Sequence, residues 1–281
     1  MDAIRPGLRM LVAAALAAAG ACAWAQAQQP GPPATLPGVT ISGSKGTPDP
    51  VEKSYRRMVR GMDLFERRHA LSPQGELRFK LLPRKPGVSL DRLELLVLGK
   101  TVETPIPVAP DRTFVLQRDA RAFDENAMVS PDRKALTMTW RAEVRTPGLP
   151  PGTRRLGDLR LECQVGMEAG LYSNSPSFIT RIFSELSTTP AYCENPENRY
   201  LFFADRPIFG VTLVSGDRRE MLPASRLYAA AINESNLAAE LPYCDCEVLL
   251  DRTYFLPLGD RSWPDDALVV FDFMEDGDAP P

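Results

Sequence analysis

Hydrophobic and polar positions change their spacing several times along the chain. Val51, Tyr55, Met58, Met62, Phe65 and His69 recur at alternating intervals of four and three, one apolar stripe on a helix spanning residues 50–70. Asp49 is a good N-cap, Pro50 suits the first helical position, and Glu52 completes a capping-box pattern. Lys53, Arg56, Arg57, Arg60, Arg67 and Arg68 fall mostly off the stripe, as on a solvated face, and Asp63 and Glu66 dilute their charge.

From Glu76 the period becomes two. Leu77 to Leu81, Leu90 to Leu98 and Ala135 to Thr146 read as strands. Thr104–Val108 and Thr113–Leu116 flank the turn signal Pro110-Asp111-Arg112 and read as a hairpin. Leu159, Leu161, Cys163 and Val165 alternate with polar residues and read as one face of a further strand. Pro176 followed by Phe178, Ile179, Ile182, Phe183 and Leu186 predicts a short central helix, and Ser225 to Leu241 is Ala-rich enough for another. After Tyr200, Val211–Val214 and Arg219–Leu222 form a tight hairpin around Ser215-Gly216-Asp217-Arg218. Glu247–Leu250, Thr253–Leu256 and Ala267–Phe273 complete the strand set. Short strands between Pro/Gly turns predict a mainly β chain, by pattern an immunoglobulin-like β-sandwich, with an N-terminal amphipathic helix and a short central one. The organisation is a β domain over 76–165, a helical connection over 166–199, a second β region over 200–273 and an acidic tail over 274–281. Asp111-Arg112-Thr113-Phe114-Val115-Leu116 echoes Asp251-Arg252-Thr253-Tyr254-Phe255-Leu256, which raises the prospect of two β modules in tandem.

The first residues carry a different signal. Arg5 and Arg9 precede an uncharged apolar run from Leu11 to Ala21, and small residues at Ala23, Ala25 and Ala27 suit a signal peptidase. This predicts a signal peptide over 1–25, cleavage near Ala25 or Ala27, a Pro/Gly/Ser/Thr-rich leader over 26–49, and a periplasmic or secreted protein. Ala19-Gly20-Ala21-Cys22 loosely resembles a lipobox and makes lipid anchoring at Cys22 the minor alternative. Loss of Arg5, Arg9 and Asp2 takes the formal net charge from −3 one unit further negative, which disfavours nucleic acid as a partner. No later segment is long and apolar enough to be a transmembrane helix.

Export changes how the cysteines read. Cys163, Cys193, Cys244 and Cys246 are expected to form two disulfides, and inward-facing thiols favour Cys193 with Cys244 and Cys163 with Cys246. Cys244-Asp245-Cys246 is also a candidate for thiol exchange. His69 is the sole histidine, so Ser-His-Asp catalysis and His-rich zinc sites have almost nothing to build on. No phosphate-binding glycine loop appears, and no cofactor is implied. Paired carboxylates remain open for glycoside hydrolysis, with Asp265/Asp266 and Glu275/Asp276 near Asp272 as candidates. Tyr200, Phe202, Tyr254 and Trp263 are the aromatics best suited to line a groove for an envelope protein, a peptide or a glycan. The functional expectation is a non-enzymatic binding or assembly-accessory protein, with a two-carboxylate envelope hydrolase and thiol-disulfide exchange as alternatives.

Overall fold

The structure is a computed structural model that describes residues 52–84, 87–134, 137–171, 189–228 and 249–274. The leader, Cys22, the predicted helix over 178–186, most of the Ala-rich stretch, Cys244, Cys246 and the acidic tail beyond Met274 lie outside the described residues.

The chain is mainly β, with three α-helices and four antiparallel sheets among the described residues, and its elements run through one motif twice. The first pass is β1 (Lys53–Ser54), α1 (Tyr55–Arg67), β2 (Glu76–Pro83), β3 (Leu95–Leu98), β4 (Glu103–Pro105), β5 (Thr113–Phe114), α2 (Ala120–Asp124) and β6 (Met128–Pro131). A linking strand, β7 (Met138–Arg145), follows. The second pass is β8 (Thr153–Arg155), α3 (Leu156–Ala169), β9 (Leu201–Phe203), β10 (Ile208–Ser215), β11 (Arg218–Met221), β12 (Thr253–Phe255) and β13 (Leu268–Phe273).

Each pass builds a four-stranded sheet in the same order, β1-β6-β3-β4 and β8-β13-β10-β11, and a separate antiparallel pair, β2 with β5 and β9 with β12. The match extends to individual hydrogen bonds. Tyr55 N donates to Ala127 O at 3.0 Å and Leu156 N to Ala267 O at 2.8 Å. Ile106 N donates to Leu95 O as Leu222 N does to Val211 O, both at 2.8 Å. Leu81 N donates to Arg112 O and Ala204 N to Arg252 O. In register, Val129 lies between Lys53 and Val97, and Val269 between Arg154 and Leu213. Aligned this way, 111–131 and 251–271 run together without a gap. Asp111/Asp251, Arg112/Arg252, Thr113/Thr253, Leu116/Leu256, Arg121/Arg261, Ala127/Ala267 and Val129/Val269 are identical, and Phe123 answers Trp263. The six-residue echo is therefore the best-preserved stretch of a tandem repeat, because its threonines are fully buried and its backbone closes the β2–β5 and β9–β12 pairs.

Several elements differ from the sequence pattern. The first helix starts at Tyr55, where the Ser54 hydroxyl accepts from Arg57 N, because Lys53 and Ser54 are held extended against β6. The segments flanking Pro110 are not hairpin partners: β4 pairs with β3, and β5 with β2. α3 lies at the centre and contributes to the cores of both repeats. The strand expected over Leu159–Val165 is the middle of this helix.

Almost every residue of α3 is buried, and each of its faces has its own contact. Leu161, Val165 and Ala169 join the first repeat's core, while Leu156, Leu159, Cys163 and Met167 join the second's. Arg160 donates to the carbonyls of Leu258, Asp260 and Trp263 and pairs with Asp265 at 2.5 Å. Asp158 and Glu162 face the free edge of β7, where Glu162 accepts from Val144 N at 3.1 Å and Asp158 from Thr146 N at 2.9 Å. Four residues of helix advance about 6 Å and two residues of strand about 6.7 Å, so carboxylates one helical turn apart match successive outward N–H groups of the edge. A helix buried on all sides loses its amphipathic signature, and its polar residues mimic a strand's outward face. α1 lies directly on it: a Cβ at Gly61 would come within 2.9 Å of Ala169 Cβ and 3.3 Å of Val165 O.

Candidate functional site

Where the two repeats face each other they enclose a cleft of about 370 Å³. Matched positions form its walls. Lys80 on β2 pairs with Thr113, and Phe203 on β9 pairs with Thr253. Both line the cleft, as do Arg112 and Arg252, the second residues of the two Asp-Arg-Thr segments. Arg141 and Glu143 of β7 form its floor with Glu162 of α3, and the Arg141 guanidinium lies 4.8 Å from the Phe203 ring centroid. An adjoining opening reaches Arg78 and Arg145 and shares Lys80, Asp111, Glu143 and Asp205 with the cleft.

The carboxylates here are tied to cations. Lys80 Nζ lies 3.0 Å from Glu143 and 3.1 Å from Asp205. Arg145 contacts the same two acids, at 3.1 and 2.7 Å. Burial pushes Asp205 up, but Lys80 and Arg145 outweigh it and hold its carboxyl at about 2. Glu143 follows the same pattern: burial raises it, and Lys80, Arg145 and Arg154 bring it below the ordinary range. Asp111 is likewise lowered, its desolvation outweighed by the Thr113 hydroxyl and N–H and by the charges of Lys80 and Arg78. Glu162 goes the other way. Burial raises it despite Arg154, whose NH2 is 2.6 Å from Oε2 and also donates to Val144 O at 2.6 Å.

These shifts set a pH dependence. Asp205 titrates lower in the fold than in the unfolded chain, so its contribution is complete above the unfolded value and is lost as pH falls through the folded one. Denaturant midpoints should therefore fall between about pH 4 and about pH 2, with a shallower acid limb in Asp205→Asn. The Asp205 side chain is 46% exposed, so screening keeps the effect small and high salt should shrink it further. An unchanged acid limb in Asp205→Asn would rule out this ion cluster as its source.

The aromatics expected to line a groove are instead core. Tyr200, Phe202, Tyr254 and Trp263 are 7% exposed or less. Phe202 stacks on Tyr254 at 5.4 Å, and burial pushes the Tyr254 hydroxyl up. All four share the second core with residues of α3, and of the four only Phe202 touches the cleft. Phe203, the outward neighbour, and the arginines were missed. The Asp-Arg-Thr echo was the available signal, because in both repeats its arginine N–H donates to the carbonyl three residues back, Arg112 to Ala109 and Arg252 to Leu249.

The disulfide pairing is also corrected: Cys163 is bonded to Cys193. Cys163 on α3 faces the second core and Cys193 lies in the 3-10 turn Pro190–Glu194 packed against that helix, which brings the two sulfurs together. Cys193 with Cys244 and Cys163 with Cys246 are thereby ruled out. His69 ends α1's stripe as a packed ring, 4.9 Å from Phe65, with Nε2 3.2 Å from Gly75 O. Asp265 is paired with Arg160 rather than with a second acid. Among the described residues no group of His, Cys, Asp or Glu has the arrangement of a metal site, and no helix is long and apolar enough to cross a membrane. No family model, curated protein or solved structure matches the chain.

Proposed function

We propose that the chain is an exported binding or assembly-accessory protein of the cell envelope that holds a ligand in the cleft between its repeats without transforming it. The observation that carries this reading is the state of the cleft acids. Asp111, Glu143 and Asp205 are all held in the ionised form and bonded to neighbours, so none keeps a proton for general-acid work. What the cleft does supply is fixed charge, a stacked Arg141–Phe203 platform and a concave wall drawn from both repeats. The signal sequence supports cleavage near Ala25 or Ala27, and mass spectrometry of the mature N-terminus tests this, with a lipidated Cys22 as the overturning result.

One observation favours a second reading. Glu162 is raised and Glu143 lowered, and both line the cleft, the opposed arrangement an acid and a base would need. Glu162 Oε2 is already committed to Arg154 and Val144 N, which favours a structural role. Titration of the mature chain with muropeptides and short peptides, followed by amide chemical shifts, separates the two. Binding predicts shifts at Lys80, Arg112, Phe203 and Arg252 with the ligand recovered intact. Turnover lost in both Glu143→Gln and Glu162→Gln would replace the binding reading with the hydrolase.

A further inference from the structure

We propose that the ligand of this cleft carries an anionic group, a carboxylate or a phosphate, held between Arg112 of the first repeat and Arg252 of the second. The inference rests on the cleft being the binding site and adds the chemistry of what enters it. Three of the cleft's acids are already satisfied from within: Glu143 and Asp205 share Lys80 and Arg145, and Glu162 has Arg154. Asp111 spends its Oδ1 on Thr113 N and Oγ1 at 3.0 and 2.8 Å. The guanidiniums of Arg112 and Arg252 are then the cleft's surplus charge, and their sign is positive.

Neither is spent on an acid of the cleft. The Arg112 side chain has neither an ion pair nor a hydrogen bond among the described residues, and it is half-buried against the cleft wall. Its backbone is left-handed, φ 65°, an uncommon conformation for a side chain with a Cβ. Asp111 holds it there by capping Thr113, so the turn keeps a strained arginine where glycine would be relaxed, as functional sites do. Arg252 donates NH1 to Asp205 O at 2.8 Å, and its Nε is buried without a hydrogen bond, 4.0 Å from Asp251. Both sit at the same place in the repeat and both line the cleft, so one planar anion can be gripped from two sides.

Succinate and inorganic phosphate are the probes, titrated separately into the mature chain at low and high salt and read by calorimetry and amide shifts. Saturable millimolar binding of one or both is expected, weakened by salt, and reduced at least about tenfold in Arg112→Gln and in Arg252→Gln. A preference between the two probes identifies the anion. Arg112→Gly guards against misfolding, because it relieves the left-handed strain: its melting temperature should hold or rise while binding is lost. Undiminished binding in the Arg112 variants, or no saturable binding of either probe, overturns the inference. If the anions fail while an uncharged N-acetylglucosamine oligosaccharide shifts Lys80 and Phe203, the cleft remains the site and only its anion preference falls. If no ligand shifts the cleft residues, both readings fall.

Discussion

Arg154→Met is expected to lower unfolding free energy by about 3–5 kcal/mol, because it strands the Glu162 carboxylate in the interior. Arg154 is 6% exposed and Glu162 7%, so neither charge has water to fall back on. Many buried ion pairs can be exchanged for packed apolar residues at little cost. This one should resist. Glu162 also accepts from Val144 N, and Arg154 donates to Val144 O, so the pair satisfies both polar groups of one residue on the free edge of β7. Arg154→Met with Glu162→Leu should therefore recover part of the loss and leave a deficit of about 1–3 kcal/mol for the orphaned backbone. Urea midpoints at constant slope measure both variants. Full recovery in the double variant would mean that the charges serve only each other.

The second large effect belongs to the disulfide. Cys163→Ala with Cys193→Ala should cost about 3–4 kcal/mol, since the bond closes a loop with a sequence separation of 30. Loops of this length lose much of their entropy only through the crosslink. The turn carrying Cys193 has other ties, because Glu194 accepts from Arg68 and from Gln164. A measured loss below about 1 kcal/mol would show that these contacts already close the loop. Reduction of the wild-type chain should give a similar change to the double substitution.

Much of the strand inventory was legible in the sequence because half-buried strands alternate. Glu76–Pro83, Met138–Arg145 and the β10–β11 hairpin fall where the period of two placed them. The central helix was not legible, for the same reason that it is central. Asp158, Arg160, Glu162 and Gln164 look like a solvent face but meet β7, the Leu258–Trp263 loop and Arg68, and no single sequence period encodes three different neighbours. The aromatics expected in a groove lie in the core for a related reason. Aromatic residues announce burial more strongly than binding, and Phe202 and Tyr254 stack across a strand pair whose inner face is core. The repeat was visible only where both copies keep the same hydrogen-bonded turn. Elsewhere Tyr55 answers Leu156, and Leu81 answers Ala204, equivalents that share a place in the fold but differ in size or chemistry.

The position of α3 has a consequence for the order in which the molecule can be assembled. A chain that emerges N-terminus first presents the whole first repeat before the helix that fills its core. Leu161, Val165 and Ala169 arrive last, and with them the side chains that close the bare margin of β7. The early half is thus an unfinished sheet with an open seam, and only the opening element of its own duplicate seals it. The two repeats are not interchangeable parts. The later copy became the keystone of the earlier one, and neither can drift, detach or be traded without the other.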